Sequence, residues 1–342
     1  MNDDRRVHTA SRRTVLGGAL GAAGLIGLGA PAEASPRRRL RVLVATNEPW
    51  GTYHVEPLLA EAARRGARLT QLVPDYTQAG PDGPVPVATP RHAPPADLLV
   101  VTGAGDWPLE CAARFRRLPL AASSLAYLGP AEAPGARRLR PRLRAVTASS
   151  PAEGRAFAGY LGTRRRPLVV GSPQTDDLPR RAPEPGVTLV VTSVTRPDGT
   201  GGAAPGTELL LAAAERIQAS GRRVLVGLHP REDRTLWERY EISDVPTLRA
   251  AARAEAAIGI PGTVFPLIAA LGTPLVGCTD PALTVPGHLL SVCSSTIADA
   301  AGAVDAVARA RPADAATVAD AAGPIGGSAR RLLDAWARTA RR

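Results

Sequence analysis

The sequence predicts an α/β protein built as two parallel-sheet lobes facing each other across a cleft. Three observations carry this. From residue 40 onward, short continuous apolar runs alternate with helical patterns, the rhythm of parallel strands buried on both faces. A stretch rich in Pro and Arg, residues 171–186, interrupts that rhythm near the middle. The chain has 342 residues, 44% of them hydrophobic, enough for two cores.

The amino terminus stands apart from this pattern. Ser11-Arg12-Arg13-Thr14-Val15-Leu16 precedes an uncharged Gly/Ala/Leu stretch that ends at Pro31, followed by Ala32-Glu33-Ala34. A charged start, a weakly apolar middle and a small-residue end predict a signal peptide over residues 1–34. The adjacent arginines resemble the twin-arginine (Tat) address, so the Tat translocase is the expected partner during export and an extracytoplasmic, secreted or wall-associated location is the expectation. The middle is too short and too rich in Gly for a good membrane span; an uncleaved anchor is the alternative.

The first lobe is expected over 35–170. Leu40–Thr46 is its first strand, followed by a helix from about His54 to Arg65 that Gly66 stops. Ala67–Val73 is a strand, 75–96 a loop, Asp97–Thr102 a strand, Trp107–Arg116 a helix and Leu118–Ser123 a strand. A loop over 129–142 leads into the strand Arg144–Ala148. Ser150-Pro151-Ala152-Glu153 has the form of a capping box, with Pro in the first turn, and opens a helix to about Leu161. Pro167–Val170 ends the lobe, and 171–186 is the linker.

The second lobe is expected over 187–325. Its strands are Val187–Thr192, Arg223–Leu228, Ala256–Ile260, Pro274–Cys278 and Leu289–Cys293. Its helices are 207–220, 231–240, 246–254, Val264–Leu271 and Ile297–Arg309. A last helix, within 326–342 and running from about Ser328 to Arg341, carries Leu332, Leu333 and Trp336 on one side.

Lys and Arg together number 42 against 31 acids, all 42 are arginine, and the formal charge is +11. Residues 1–34 hold four arginines and three acids, so +10 remains on the rest. Such a surface attracts polyanions. No nucleic-acid motif accompanies it, and no basic strip with interleaved aromatics, so the expected anions are a cell-wall polymer or lipid headgroups and not nucleic acid; a general solubility bias is the alternative. Cys111, Cys278 and Cys293 form no C-x-x-C, and their odd number excludes a complete disulfide framework. A bond between Cys278 and Cys293 is conceivable, but buried free thiols fit better.

Ligands of open parallel sheets bind beyond the carboxyl ends of the strands, so residues just after strands are the candidates for chemistry. His54, in the segment Asn47 to His54 after the first strand, is a candidate base for an acceptor hydroxyl, and Trp50 of the same segment joins the candidate binding residues. Asp106, after Gly103-Ala104-Gly105, is a second candidate acid or an ordinary N-cap. In the second lobe, Gly199-Thr200-Gly201 lies in a Gly-rich loop suited to phosphate, although it is no dinucleotide fingerprint and stands several residues before its helix. His229-Pro230-Arg231 puts an imidazole and a guanidinium at one sheet edge, where they could neutralise a leaving phosphate. Gly262 and Thr263 open the next helix.

Four stretches together resemble the glycosyltransferases of GT-B type, which have two Rossmann-like lobes, and within them the CDP-glycerol glycerophosphotransferases and related polysaccharide transferases. These are Trp50-Gly51-Thr52-Tyr53-His54 through Gly66, Val169 through Asp176, Leu228-His229-Pro230-Arg231, and Gly262-Thr263-Val264-Phe265 through Pro274. The resemblance implies donor phosphates at His229 and Thr263, an acceptor near His54, a nucleotide-linked donor as substrate, and no cofactor or metal. The chain departs from the family pattern at three places: Gly262 and Thr263 replace paired serines, Leu267 replaces an acid, and Leu228 stands where a basic residue is expected. Two functions follow as expectations: an exported glycosyl- or glycerophosphotransferase acting on envelope glycan or polyol-phosphate, or a non-catalytic binder of anionic wall polymer or glycan on the same fold.

Overall fold

The computed structural model describes residues 39–77, 83–125, 135–195 and 203–342. The expected signal peptide and the loop residues Gly199, Thr200 and Gly201 lie outside the described residues. Among the described residues no helix is long and apolar enough to cross a membrane.

Among the described residues thirteen parallel strands form two sheets. The first contains β1 (Arg41–Thr46), β2 (Arg68–Leu72), β3 (Val87–Ala88), β4 (Leu98–Thr102), β5 (Leu120–Ser123), β6 (Leu143–Ala148) and β7 (Leu168–Val169) in the order β3-β2-β1-β4-β5-β6-β7. The second contains β8 (Val187–Val191), β9 (Arg223–Gly227), β10 (Glu241–Ile242), β11 (Ala256–Gly259), β12 (Leu275–Cys278) and β13 (Ser295–Ile297) in the order β10-β9-β8-β11-β12-β13. In each sheet the order reverses beside the first strand, between β1 and β4 and between β8 and β11. That reversal is the doubly wound Rossmann pattern and leaves a crevice beyond the carboxyl ends of the central strands. Central strands are continuous apolar runs because helices cover both faces: every residue of β4 and of β8 is buried. Three of the four edge strands, β3, β7 and β10, are two residues each and partly exposed.

Local chemistry sets the helix ends. Ser150 Oγ accepts the Glu153 amide at 3.1 Å and starts Pro151–Leu161, which Gly162 closes at φ +61. Only the serine half of the capping box forms, because the Glu153 carboxyl turns inward towards the Ser124 and Ser149 hydroxyls.

The last helix, Ser328–Arg341, leaves the second lobe and packs on the first. Ala329, Leu332, Leu333 and Trp336 share a core with Val42, Val44, Leu58, Leu98 and Val100. Trp336 is fully buried, and its indole N–H donates to Ser123 Oγ at 2.9 Å. Asp176, in the linker, accepts the first free amides of this helix, Ser328 N at 2.6 Å and Ala329 N at 2.8 Å, so a residue 152 positions away does the work of an N-cap.

The structure corrects four expectations. Leu289–Cys293 is no strand: Gly287–Leu290 is a helical turn, and the sheet is extended by Ser295–Ile297. Residues 231–240 hold one 3-10 turn, Arg234–Trp237, and the start of a path into β10. A helix, Ala315–Ala322, occupies a stretch with no expected element. The segment 52–64 is two 3-10 turns, Thr52–His54 and Glu56–Leu58, and a short helix, Leu59–Arg64: Pro57 has no amide N–H with which to continue the turn begun at Thr52, so the α-helix starts only after it.

Candidate functional site

The residues after the central strands of both lobes meet between the sheets. From the first lobe, the loop after β1 delivers Glu48, Tyr53 and His54. Asn47 anchors that loop by accepting the Gly105 amide at 2.9 Å. The Asn47 amide lies where a side chain on Gly103 would stand, and Gly103 has φ +143, so only glycine fits there. From the second lobe, the loop after β9 delivers His229 and Arg231. The His229 amide donates to Thr192 Oγ1 at 2.8 Å. Buried Glu232 accepts the Thr195 amide and hydroxyl, both at 2.9 Å, and so ties this loop to the one after β8.

Glu48 is the centre of the contact. The Tyr53 hydroxyl donates to Glu48 Oε2, and Arg231 reaches the same oxygen at 3.3 Å from the opposite lobe. The rings of Tyr53 and His229 meet edge to face with centroids 6.1 Å apart, and Tyr53 also lies 4.2 Å from the His54 ring. A second pair, Arg155 to Asp320 through two bonds of 2.9 and 2.6 Å, joins the lobes on the other side. Both bridges are well exposed, so they set geometry more than stability.

Burial decides the protonation states. It pushes the His54 pKa down to about 4, against the pull of Glu48 and with help from nearby His229 and Arg231. His54 is therefore neutral at pH 7. The residue is 7% exposed, and Nδ1 has no hydrogen-bond partner. Burial lowers the pKa of His229 as well, and its Nδ1 accepts the Arg231 amide at 3.2 Å. With Nδ1 an acceptor, the His229 proton is on Nε2, free to donate. Burial and the Glu48 carboxylate together hold the Tyr53 hydroxyl protonated.

Behind this contact lies a hollow of about 40 Å³. His54, Ser149 and Glu153 line it from the first lobe, Ser172 and Gln174 from the linker, and Thr263, Leu267 and His288 from the second lobe. Burial raises the Glu153 pKa to about 8 although the Ser124 and Ser149 hydroxyls favour its anion.

The structure thus brings together His54, His229, Arg231 and Thr263 among the candidates read from the sequence. It does not bring Trp50 or Asp106 to the hollow. The Trp50 indole donates to the Asp75 carbonyl at 3.3 Å. Asp106 is exposed in the first turn of Asp106–Arg114, whose N-cap is Gly105. Gly262 lies in the loop before Thr263, and neither caps the helix Phe265–Ala270, whose N-cap is Val264. Cys278 and Cys293 are free thiols, as is Cys111. Sequence reasoning missed Glu48, Glu153 and His288 as site residues. Position after a strand's carboxyl end was a usable signal for Glu48; Glu153 was hidden by its place in a capping motif, and His288 by the strand expected there.

No protein-family model matches the chain, and no curated protein sequence does. Solved structures do match in fold. A variant of the wall teichoic acid polymerase TagF aligns at TM-score 0.57 and 11% identity, covering 89% of this chain and 89% of that one. The calicheamicin glycosyltransferase CalG4 aligns at 0.53 and 17%, covering 89% and 97%. MurG from Acinetobacter baumannii aligns at 0.54 and 12%, covering 87% and 99%. With two doubly wound parallel sheets meeting at their carboxyl edges, this chain has the GT-B fold of those glycosyltransferases.

Proposed function

We propose that the chain is an exported transferase that moves a glycosyl or glycerophosphoryl group from a nucleotide-linked donor to a hydroxyl of an envelope glycan or polyol-phosphate polymer. The observation that carries this reading is the meeting of neutral His54 from one lobe with His229 and Arg231 from the other. In the reaction, the acceptor oxygen forms the new bond to the transferred group and loses its proton to the vacant nitrogen of His54. The bond from that group to the nucleotide phosphate breaks, and its electron pair leaves on the phosphate. His229 Nε2–H and Arg231 meet the charge that develops there. Glu48 is placed to stabilise the imidazolium as it forms on His54. The donor is a substrate, and the scheme needs no cofactor. A hollow of about 40 Å³ is far below what a nucleotide needs, so the lobes must part for the donor to enter, and the Arg231–Glu48 bridge is the contact that yields.

Export rests on the twin-arginine pattern in residues 1–34. An anionic partner is supported by a groove of about 580 Å³ at the amino-terminal edge of the first sheet, lined by Arg116, Arg117, Arg142, Arg144, Arg165 and Arg342. None of the six pairs with a carboxylate among the described residues, and guanidinium clusters suit phosphates of a wall polymer or lipid headgroup.

Calorimetric titration with CDP-glycerol and UDP-sugars, followed by product analysis, tests the reading. Binding with turnover that His229→Ala abolishes is the expected result; no binding of any nucleotide overturns it. Leu267, where the family resemblance expects an acid, favours the second reading, a binder without turnover. Nucleotide or polymer binding with no product would select that one.

A further inference from the structure

Two residues lining the hollow are buried beyond nine-tenths and leave a side-chain polar atom without a partner: His54 Nδ1, on a residue 7% exposed, and Glu153 Oε1, on a residue 8% exposed. Orphaned buried polar atoms cost stability, and two of them on one small cavity indicate a place for a ligand's polar groups. Helix capping does not explain Glu153, because Ser150 already accepts its amide and its carboxyl points inward. The rest of the polar lining is hydroxyl, amide and imidazole, from Ser149, Ser172, Gln174, Thr263 and His288. Among the described residues no Arg lines the hollow, whereas Arg231 lies on the Glu48 side. The site is therefore zoned, with cationic donors at one end and an uncharged hydrogen-bonding pocket at the other. The volume, about 40 Å³, holds two or three water-sized groups.

We propose that this hollow is a subsite for an uncharged polyol or sugar hydroxyl, held between Glu153 and His54. Burial keeps Glu153 protonated at neutral pH, with its pKa at about 8, so it donates to a ligand oxygen while the vacant nitrogen of His54 accepts from a ligand hydroxyl. The assignment of that hydroxyl to the acceptor rests on the transferase reading; the subsite itself does not. Glu153 is a binding residue here, and its neutral form is the one that acts.

The test is nuclear magnetic resonance of the imidazole groups in the full chain, with glycerol as the neutral probe and inorganic phosphate as the charged one. Glycerol is expected to shift the His54 signals in the native protein and in Glu153→Gln, which keeps a neutral hydrogen-bonding group. In Glu153→Ala its affinity should fall about tenfold, the worth of one hydrogen bond. Phosphate should move His229 and leave His54 in place. Should Glu153→Ala fail to fold, Ser172→Ala, which removes another hydroxyl from the lining, gives the same readout. A His54 signal indifferent to glycerol, a response to glycerol as strong in the alanine variant as in the native chain, or a His54 shift with phosphate would each overturn the proposal. CDP added to the same samples reports on the transferase reading through His229. A protein that ignores CDP but answers glycerol at His54 keeps the subsite and loses the transferase.

Discussion

Replacing Glu153 with Gln should change how folding stability depends on pH. In the folded chain the Glu153 carboxyl is raised from an ordinary 4.5 to about 8 by burial. Between those values the folded protein holds a proton that the unfolded chain has released. Unfolding then loses one proton, so stability falls as pH rises, about tenfold in the folding constant per pH unit. Over the whole window the native chain gives up about 5 kcal/mol. Gln has no proton to lose, so the variant gains on the native protein steadily from about pH 5 to about pH 8. The titratable groups facing Glu153 across the hollow, His54 and His288, are both pushed down by burial. Their effect has the opposite sign: unfolding takes up a proton below pH 6.5, and stability is lost as pH falls towards 4 for His54. That effect is common to both proteins and cancels in the difference. Urea denaturation at intervals across the range, comparing midpoints at constant slope, gives the measurement. Parallel curves for the two proteins would show that Glu153 ionises normally in the folded state and would refute the reasoning.

Two further outcomes concern the last helix. Trp336→Ala removes a fully buried indole from the first-lobe core and its bond to Ser123; it should cost about 3–5 kcal/mol in chemical denaturation and speed amide exchange in residues 328–341. Asp176→Ala leaves the Ser328 and Ala329 amides without their acceptor; it should cost about 1–2 kcal/mol, with Asp176→Asn recovering most of it.

Long-period signals were the legible part of the fold. The continuous apolar runs of β1, β4, β8 and β11 could be read directly, because a strand covered on both faces has no polar side to show. Ser150-Pro151 and Gly162 marked the ends of their helix for the same kind of local reason. Short apolar runs misled. Leu289 and Val292 are buried as a strand would require, but burial is common to helix and strand, and a run this short has no period to separate them. The adjacent edge strand Ser295–Ile297, exposed at two of its three residues, carries almost no apolar signal. The site was half legible. His54 and His229 stand in marked positions after strands, whereas Glu48 and Glu153 look like ordinary loop and helix-start acids.

By itself the sequence determined two parallel-sheet lobes, most strand positions, and the strand ends that bear the candidate site residues, because each depends on neighbours within a few residues. Only the tertiary structure decided that the last helix crosses back to the first lobe, that Asp176 caps it, and that Glu48 and Arg231 close the cleft. It alone also sets the protonation of His54 and Glu153. Burial holds both groups in their neutral form, which lowers the pKa of the base and raises that of the acid, and that burial arises from packing between segments far apart in the chain.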